Sequence, residues 1–177
     1  MKPPTLIETP RLRLRLPEIA DAQAIFEQYA QDTEVTRYLI WQPHQSMEET
    51  IQFLKRELAA WQEGTSFSWV ITRKPDNQLL GMIAFRIEGY KANLGYVLAK
   101  AYWGQGYATE AAQSLVNLAM AEPEIYRVWA VCDAENYASA RVLEKVGMSF
   151  EGVLRRWIMH PNLSAEPRDC RCYAVAK

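Results

Sequence analysis

The chain has 177 residues, one domain's length at roughly 100–200 residues per domain, and its 49% hydrophobic content suffices for a core of its own. Twenty Lys and Arg against 21 Asp and Glu leave a formal charge of -1, so bulk electrostatics draws the chain neither to nucleic acid nor to an anionic membrane. A polyanionic ligand must therefore be met locally.

Three cysteines, Cys132, Cys170 and Cys172, are odd in number and too few for a secreted disulfide framework, which places the chain in a reducing cytoplasm as free thiols. Cys170 and Cys172 would share one face of a strand, but no second Cys/His pair stands at ligand spacing, so no metal is expected. Residues 1–18 carry no apolar leader core, and no apolar run approaches the roughly 18 residues of a membrane span. No repeat or low-complexity stretch divides residues 1–177, which are expected to form a single domain.

In chain order, residues 11–16 alternate strictly, with Leu12, Leu14 and Leu16 on one face and Arg11, Arg13 and Arg15 on the other, and predict an edge-type or half-buried strand. After Pro17, the recurrence of Ala22, Ile25, Phe26 and Tyr29 predicts a helix. Ser46 and Glu49 form a capping box ahead of Ile51, Leu54, Leu58 and Trp61, in a second helix ending near Gly64. Alternating Phe67, Trp69 and Ile71, a turn at 74–77, an apolar run at 79–87 and a strand at about 93–98 predict a three-stranded antiparallel meander. Next come a helix at 107–121, a strand at 127–132, a helix at 137–146 closed by Gly147, and strands near 148–156 and 169–175. The segment from 94 to 132 is long enough to cross over and make one parallel pair inside a mixed sheet.

Two segments carry chemistry. In WGQGYATEA, residues 103–111, Gly104 and Gly106 permit backbone conformations closed to other residues, and Ala108 keeps the next turn free of bulk. A strand, a Gly-rich loop and a helix start together form a phosphate cradle, because a helix's first turn offers unpaired N–H groups and about half a positive charge. Tyr107 follows Gly106 where an NTP-binding loop needs Lys, and Thr109 takes the third small position of a dinucleotide fingerprint. A tight turn with no ligand remains an alternative for the loop. In the second segment, 133–148, Asn136 suits an N-cap with Ser139 at N3, and capping by itself would account for both. Together, two helix starts flank the ends of two adjacent parallel strands, where open sheets bind ligands.

With these segments, TPRLRLRLPEIADA at 9–22, the Trp41 loop, GYVLAKAYWGQGYATEA at 95–111, NYASARVLEKVGM at 136–148 and RDCRCYAV at 168–175, the sequence resembles the GNAT superfamily of N-acetyltransferases, in the Rim-type branch that acetylates ribosomal-protein N-termini. The resemblance implies an α+β fold: a mixed, mostly antiparallel central sheet with helices on both faces and a splayed parallel strand pair that binds CoA. It implies an acetyl-CoA-dependent N-acetyltransferase, with direct attack by a primary amine through a tetrahedral intermediate, the acceptor being a protein N-terminal α-amine or a small amine. Acetyl-CoA is then the co-substrate, with no metal, no direct nucleic-acid or membrane partner, and a monomer or homodimer as the assembly.

The resemblance further implies that Gln105, Gly106, Ala108 and Thr109 hold the pyrophosphate by their amides while Gly104 shapes the loop. Trp103 departs from the family's usual Gln or Arg. Tyr96, Val97 and Leu98 would offer main-chain groups to the pantetheine arm, with an amide near Val97 or Leu98 as oxyanion donor, and Asn136 would bind the arm from the other side. Lys145 and Arg141 are candidates for the 3′-phosphate, or ordinary surface charge. The family's usual Tyr acid is replaced by Leu143, and Ser139, matching the Rim-type Ser, is the candidate donor to the thiolate.

The family's Glu bases are absent. His160 is the substitute, since an imidazole is the side chain suited to proton removal near neutrality, although a solvent-facing loop position is the plainer expectation for it. Glu88, Glu110, Asp169 and a water chain are further options. Tyr38, Trp41 and Trp157 are expected to line the acceptor wall, or to be core. The missing base leaves a second function open: a non-catalytic CoA-binding or scaffold protein with the same fold.

Overall fold

The computed structural model describes residues 2–74 and 76–177; Pro75, in the turn expected at 74–77, lies outside them. The alternation at 11–16 forms β2 (Leu12–Arg15), with Leu12 and Leu14 fully buried. It is not an edge strand, because a short β1 (Leu6–Glu8) pairs antiparallel on its outer side, Ile7 opposite Leu14. Three exposed or half-exposed residues carry too little pattern for β1 to be read from sequence.

The helix expected after Pro17 is broken into pieces. A 3-10 turn at Ile19–Asp21 leads into α1 (Ala22–Ile25), a π-turn at Phe26–Ala30 and a separate α2 (Thr33–Thr36). Two aspartates account for the breaks, since Asp and Asn offer the backbone alternatives to the helix ladder. Asp21 accepts from Arg15 at 2.6 and 2.9 Å and from the Glu18 N–H at 2.7 Å, while Asp32 accepts from Glu34 N–H at 2.8 Å and Val35 N–H at 3.3 Å as the cap of α2. By contrast α3 (Met47–Glu63) is continuous. Ser46 accepts from the Glu49 N–H, Glu49 reaches back to the Gln45 N–H at 2.8 Å, and Gly64 closes the helix at φ 74°.

The meander is β3 (Ser66–Arg73), β4 (Leu79–Glu88) and β5 (Lys91–Leu98). After it come α4 (Tyr107–Ala121), β6 (Arg127–Asp133), α5 (Tyr137–Lys145), β7 (Ser149–Ile158) and β8 (Arg168–Ala176). The sheet runs β1-β2-β3-β4-β5-β6-β8-β7, antiparallel except for β5 and β6. One face packs Phe67, Trp69, Ile83, Phe85 and Leu94 against Ala111 and Leu115 of α4 and Ala140 and Leu143 of α5. The other packs Val70, Met82 and Val97 against Ile25 of α1, Val35 of α2 and Leu54 of α3. The mixed sheet with helices on both faces is the fold the resemblance implied. No helix among the described residues is long and apolar enough to cross a membrane.

Candidate active site

Gly104 and Gly106 adopt φ of 72° and 80°, a left-handed backbone that other residues enter only with strain. Gly106 is the N-cap of α4, so the N–H groups of Tyr107, Ala108 and Thr109 lie outside the helix ladder and face the loop. The loop is braced from the sheet. Arg11 donates to the Gln105 carbonyl at 3.0 Å, stacks over the Tyr107 ring at 4.6 Å and pairs with Glu110 at 2.6 Å. Glu110 also accepts from the Thr9 hydroxyl at 2.6 Å and the Arg11 N–H at 2.8 Å. Burial pushes its carboxyl up, but those donors and the guanidinium outweigh it and hold the group below its ordinary value. Glu110 is thus a structural clasp rather than a base. The departing residue Trp103 donates its indole N–H to the Leu98 carbonyl at 2.8 Å, closing the end of β5.

The two parallel strands are joined over three pairs only, Lys91 with Arg127, Ala92 with Val128 and Asn93 with Trp129; beyond them β5 and β6 splay apart. Ala99 donates to the Leu80 carbonyl at 2.8 Å, and a Cβ on Gly81 would strike the Val97 carbonyl, so Val97 and Ala99 direct their main chains at β4. Strand alternation then turns the N–H and C=O of Tyr96 and Leu98 toward the splay. Val97 thus turns its main chain away from the splay, unlike the expectation for it, while still lining the cavity.

A cavity of about 290 Å³ fills the splay and opens toward α3 and the Trp41 loop. At its α5 side, Asn136 caps the helix by accepting from the Ser139 N–H at 3.1 Å, and the Ser139 hydroxyl shares a 2.8 Å hydrogen bond with the Tyr96 phenol. Burial pushes the Tyr96 phenol up, partly offset by the Ser139 hydrogen bond, so it stays protonated. The spacing of Asn136 and Ser139 was legible in sequence; the Tyr96 hydroxyl as the partner of Ser139 was not. Cys132 also faces the cavity, and burial pushes its thiol up to about 11, which keeps it protonated and a poor nucleophile.

His160 is 3% exposed and lines the same cavity, which overturns its expectation as a solvent-facing loop residue. Its Nε2 lies 3.7 Å from Asp133 Oδ2 and 3.9 Å from Cys170 Sγ, and its buried Nδ1 has no hydrogen-bond partner among the described residues. Asp133, with no exposed surface, accepts from Arg168 at 2.6 and 3.1 Å and from the Glu135 N–H at 2.9 Å. Burial pushes its carboxyl up, and Arg168 more than reverses this, so it is ionised. Of the other base candidates, Glu88 sits at the far end of β4 opposite Lys91, and Asp169 accepts from the Arg156 N–H at 2.8 Å; neither lines the cavity.

Tyr38 and Trp41 line the cavity, and Asn162 pins their loop by donating to the carbonyls of Thr36 at 2.7 Å and Trp41 at 2.8 Å. Trp157 does not join them. It is 52% exposed on β7, and the register shift between Leu154 and Ile158 brings Ile158 to the cavity instead. Lys145 and Arg141 are exposed on α5, Lys145 in its last turn, roughly 12 Å along the axis from the start of the helix. Glu57 of α3, which no sequence signal marked, lines the cavity and accepts from the buried Ser68 hydroxyl. A second hollow of about 600 Å³ beside β7 and β8 is lined mostly by charged groups paired to each other, among them Arg156 with Glu166 at 2.6 Å, and lacks the apolar lining of a small-molecule site.

Residues 11–149 match the family model described as Acetyltransferase (GNAT) domain. The chain is 34% identical over 175 residues to YoaA of Bacillus subtilis (strain 168), an uncharacterized N-acetyltransferase, covering 97% of each chain. Among solved structures it is similar to a GNAT-family acetyltransferase from Bacillus anthracis, with 30% identity, a TM-score of 0.84, and 97% and 98% of the two chains covered. It shares its fold with RimL, a ribosomal L7/L12 alpha-N-protein acetyltransferase solved in complex with coenzyme A, at TM-score 0.86 and 24% identity over 97% of each chain.

Proposed function

Given that the chain belongs to the GNAT acetyltransferase family and is an acetyl-CoA-dependent acyltransferase, we propose that it is of the Rim type and transfers acetyl to a primary amine, a protein N-terminal α-amine or a small amine, by direct attack at the mouth of the β5–β6 splay. The observation that carries this reading is one cavity lined both by the Tyr96–Ser139 pair and by His160. His160 in the cavity supplies a base where the family's carboxylates are missing, which favours catalysis over a non-catalytic scaffold of the same fold.

The residues fit the co-substrate. The left-handed glycines and the open N–H groups of Ala108 and Thr109 suit a pyrophosphate, with the amides of Gln105 and Gly106 beside them. The main chain of Tyr96 and the N–H of Leu98, facing the splay, suit the amide-bearing pantetheine arm, and Asn136 lines the opposite wall. When bound, acetyl-CoA supplies an activated acetyl group as a thioester.

The amine nitrogen forms a bond to the acetyl carbon and passes through a tetrahedral intermediate, the carbon–sulfur bond breaks, and the amine proton leaves. His160 accepts that proton, with Asp133 Oδ2 standing 3.7 Å behind its Nε2. The Leu98 N–H is the donor for the developing oxyanion. Ser139, held by Tyr96, hydrogen-bonds the departing thiolate, and the proton released by the amine balances the one the thiolate takes up. The test is thiol release from acetyl-CoA over a panel of amines and peptide N-termini, with His160→Gln alongside. A loss in kcat of about 10²–10⁴ in the variant supports the assignment. Equal turnover refutes His160 as the base, and an inert wild type refutes amine transfer.

A further inference from the structure

The acceptor side of the cavity has a floor made by sheet register. Ser68 of β3 stands opposite Ala84 of β4, which stands opposite Gly95 of β5, and all three line the cavity. Gly95 has no positive φ to require a glycine, and nothing lies within 4 Å of where its Cβ would be. What its small size provides is free space above the strand just where β5 leaves β6. The next row on one side is Met82 and Val97, on the other Arg86 and Asn93, so the small residues form a trough between taller walls.

The trough crosses two strand spacings, roughly 10 Å, from Ser68 to Gly95. At its Ser68 end stands the Glu57 carboxylate, oriented by the Ser68 hydroxyl. Arg86 lines the same end, because its strand partner Ser66 is two residues from Ser68. Its guanidinium has no hydrogen-bond or ion-pair partner among the described residues, and Glu57 and Arg86 are not paired with each other. At the Gly95 end is the splay, in the cavity that Ser139 and His160 also line. A carboxylate and a guanidinium that line one end of the cavity without pairing to each other match an ammonium and a carboxylate presented together. One hydrogen bond of about 3 Å to Glu57 leaves roughly 7 Å to the reacting nitrogen, the span of an aliphatic chain and too far for the α-amine itself.

We propose that the acceptor is an α,ω-diamino acid: Glu57 and Arg86 hold its zwitterionic head, its methylenes lie along Ser68, Ala84 and Gly95, and its terminal amine is acetylated in the splay. This rests on the amine-acetyltransferase reading and selects the small-amine branch of it. The experiment compares L-lysine, cadaverine (the same chain without the carboxylate), n-pentylamine (without the second amine as well) and a peptide N-terminus as acceptors, with the product's acetylated nitrogen identified by NMR. The expected kcat/KM order is lysine, cadaverine, pentylamine, with about tenfold or more per step from a charge-assisted contact, and acetylation at Nε. Arg86→Gln removes the preference for lysine over cadaverine, and Glu57→Gln the preference for cadaverine over pentylamine; a thermal shift with CoA confirms that each variant folds. Acetylation at Nα, an equal rate with pentylamine, or variants that keep both preferences overturn the proposal. Turnover of the peptide N-terminus alone overturns it while leaving the amine-acetyltransferase reading standing, whereas no turnover with any acceptor removes both.

Discussion

Asp133→Asn is the substitution whose effect the structure defines most closely. The side chain keeps its shape and can still accept from the Glu135 N–H, but the ionic partner of Arg168, at 2.6 and 3.1 Å, becomes a neutral amide. Hydrogen bonds to charged groups contribute roughly 1.5–3 kcal/mol each. Arg168 keeps Glu135 at 3.0 Å and is 25% exposed, so part of the loss is recovered in solvent. A net loss of about 3 kcal/mol at neutral pH is expected, or roughly 6–12 °C in Tm for a chain of this size. The pH dependence has a definite sign. The Asp133 carboxyl titrates below its ordinary value of 3.8 in the folded protein, so the unfolded chain binds the proton more readily. The stabilisation is therefore complete above the unfolded value and is lost as pH falls through the folded one. Thermal melts of both proteins from pH 7 down to pH 3 should show a gap that is constant down to about pH 5 and narrows below pH 4. A gap as wide at pH 3 as at pH 7 would falsify the ionic account.

Gly106→Asp should weaken acetyl-CoA binding at least tenfold by calorimetry, since it sets a carboxylate at the cradle and strains a residue at φ 80°; unaltered affinity would discard the cradle. Ser139→Ala is expected to lower kcat while leaving the KM for acetyl-CoA near normal, and Tyr96→Phe to do the same more weakly, because only the 2.8 Å partner of Ser139 is removed. A larger effect from Tyr96→Phe would make the phenol the proton donor. Ser46→Ala removes the N-cap of α3 and should cost about 1 kcal/mol by denaturant titration, with activity retained.

Much of this site was written in short-range pattern. A glycine two residues after another ahead of a helix, and a capping Asn three residues before Ser139, depend on spacings that fold into the same local geometry wherever they occur. The cysteines, too, are free and buried. What spacing could not show comes from pairing between distant segments. Glu57 meets Ser68 only because α3 lies across β3, and Gly95 joins their row only through the registers of β3 with β4 and β4 with β5. His160 is buried because β7 returns along β8 and carries the following loop over Asp133 and Cys170, and the irregular stretch of β7 before Ile158 turns Trp157 outward. The broken helices after Pro17 were missed for a different reason: Asp21 and Asp32 compete for backbone N–H groups inside an otherwise helical pattern.

The clasp between Arg11 and Glu110 ties the glycine loop to a strand that lies four strands from β6 in the sheet. A cradle held in shape from behind gives up little motional freedom when a phosphate settles into it, so it is pre-organised by the far rim of the molecule. Communication then runs both ways: hydrogen exchange in β1 and β2 should slow when acetyl-CoA is added, although neither strand lines the cavity. Trimming the chain back past Arg11 should loosen grip on the co-substrate while the Tyr96–Ser139 hydrogen bond stays intact. The amino-terminal ribbon is, in effect, the handle of the phosphate clamp.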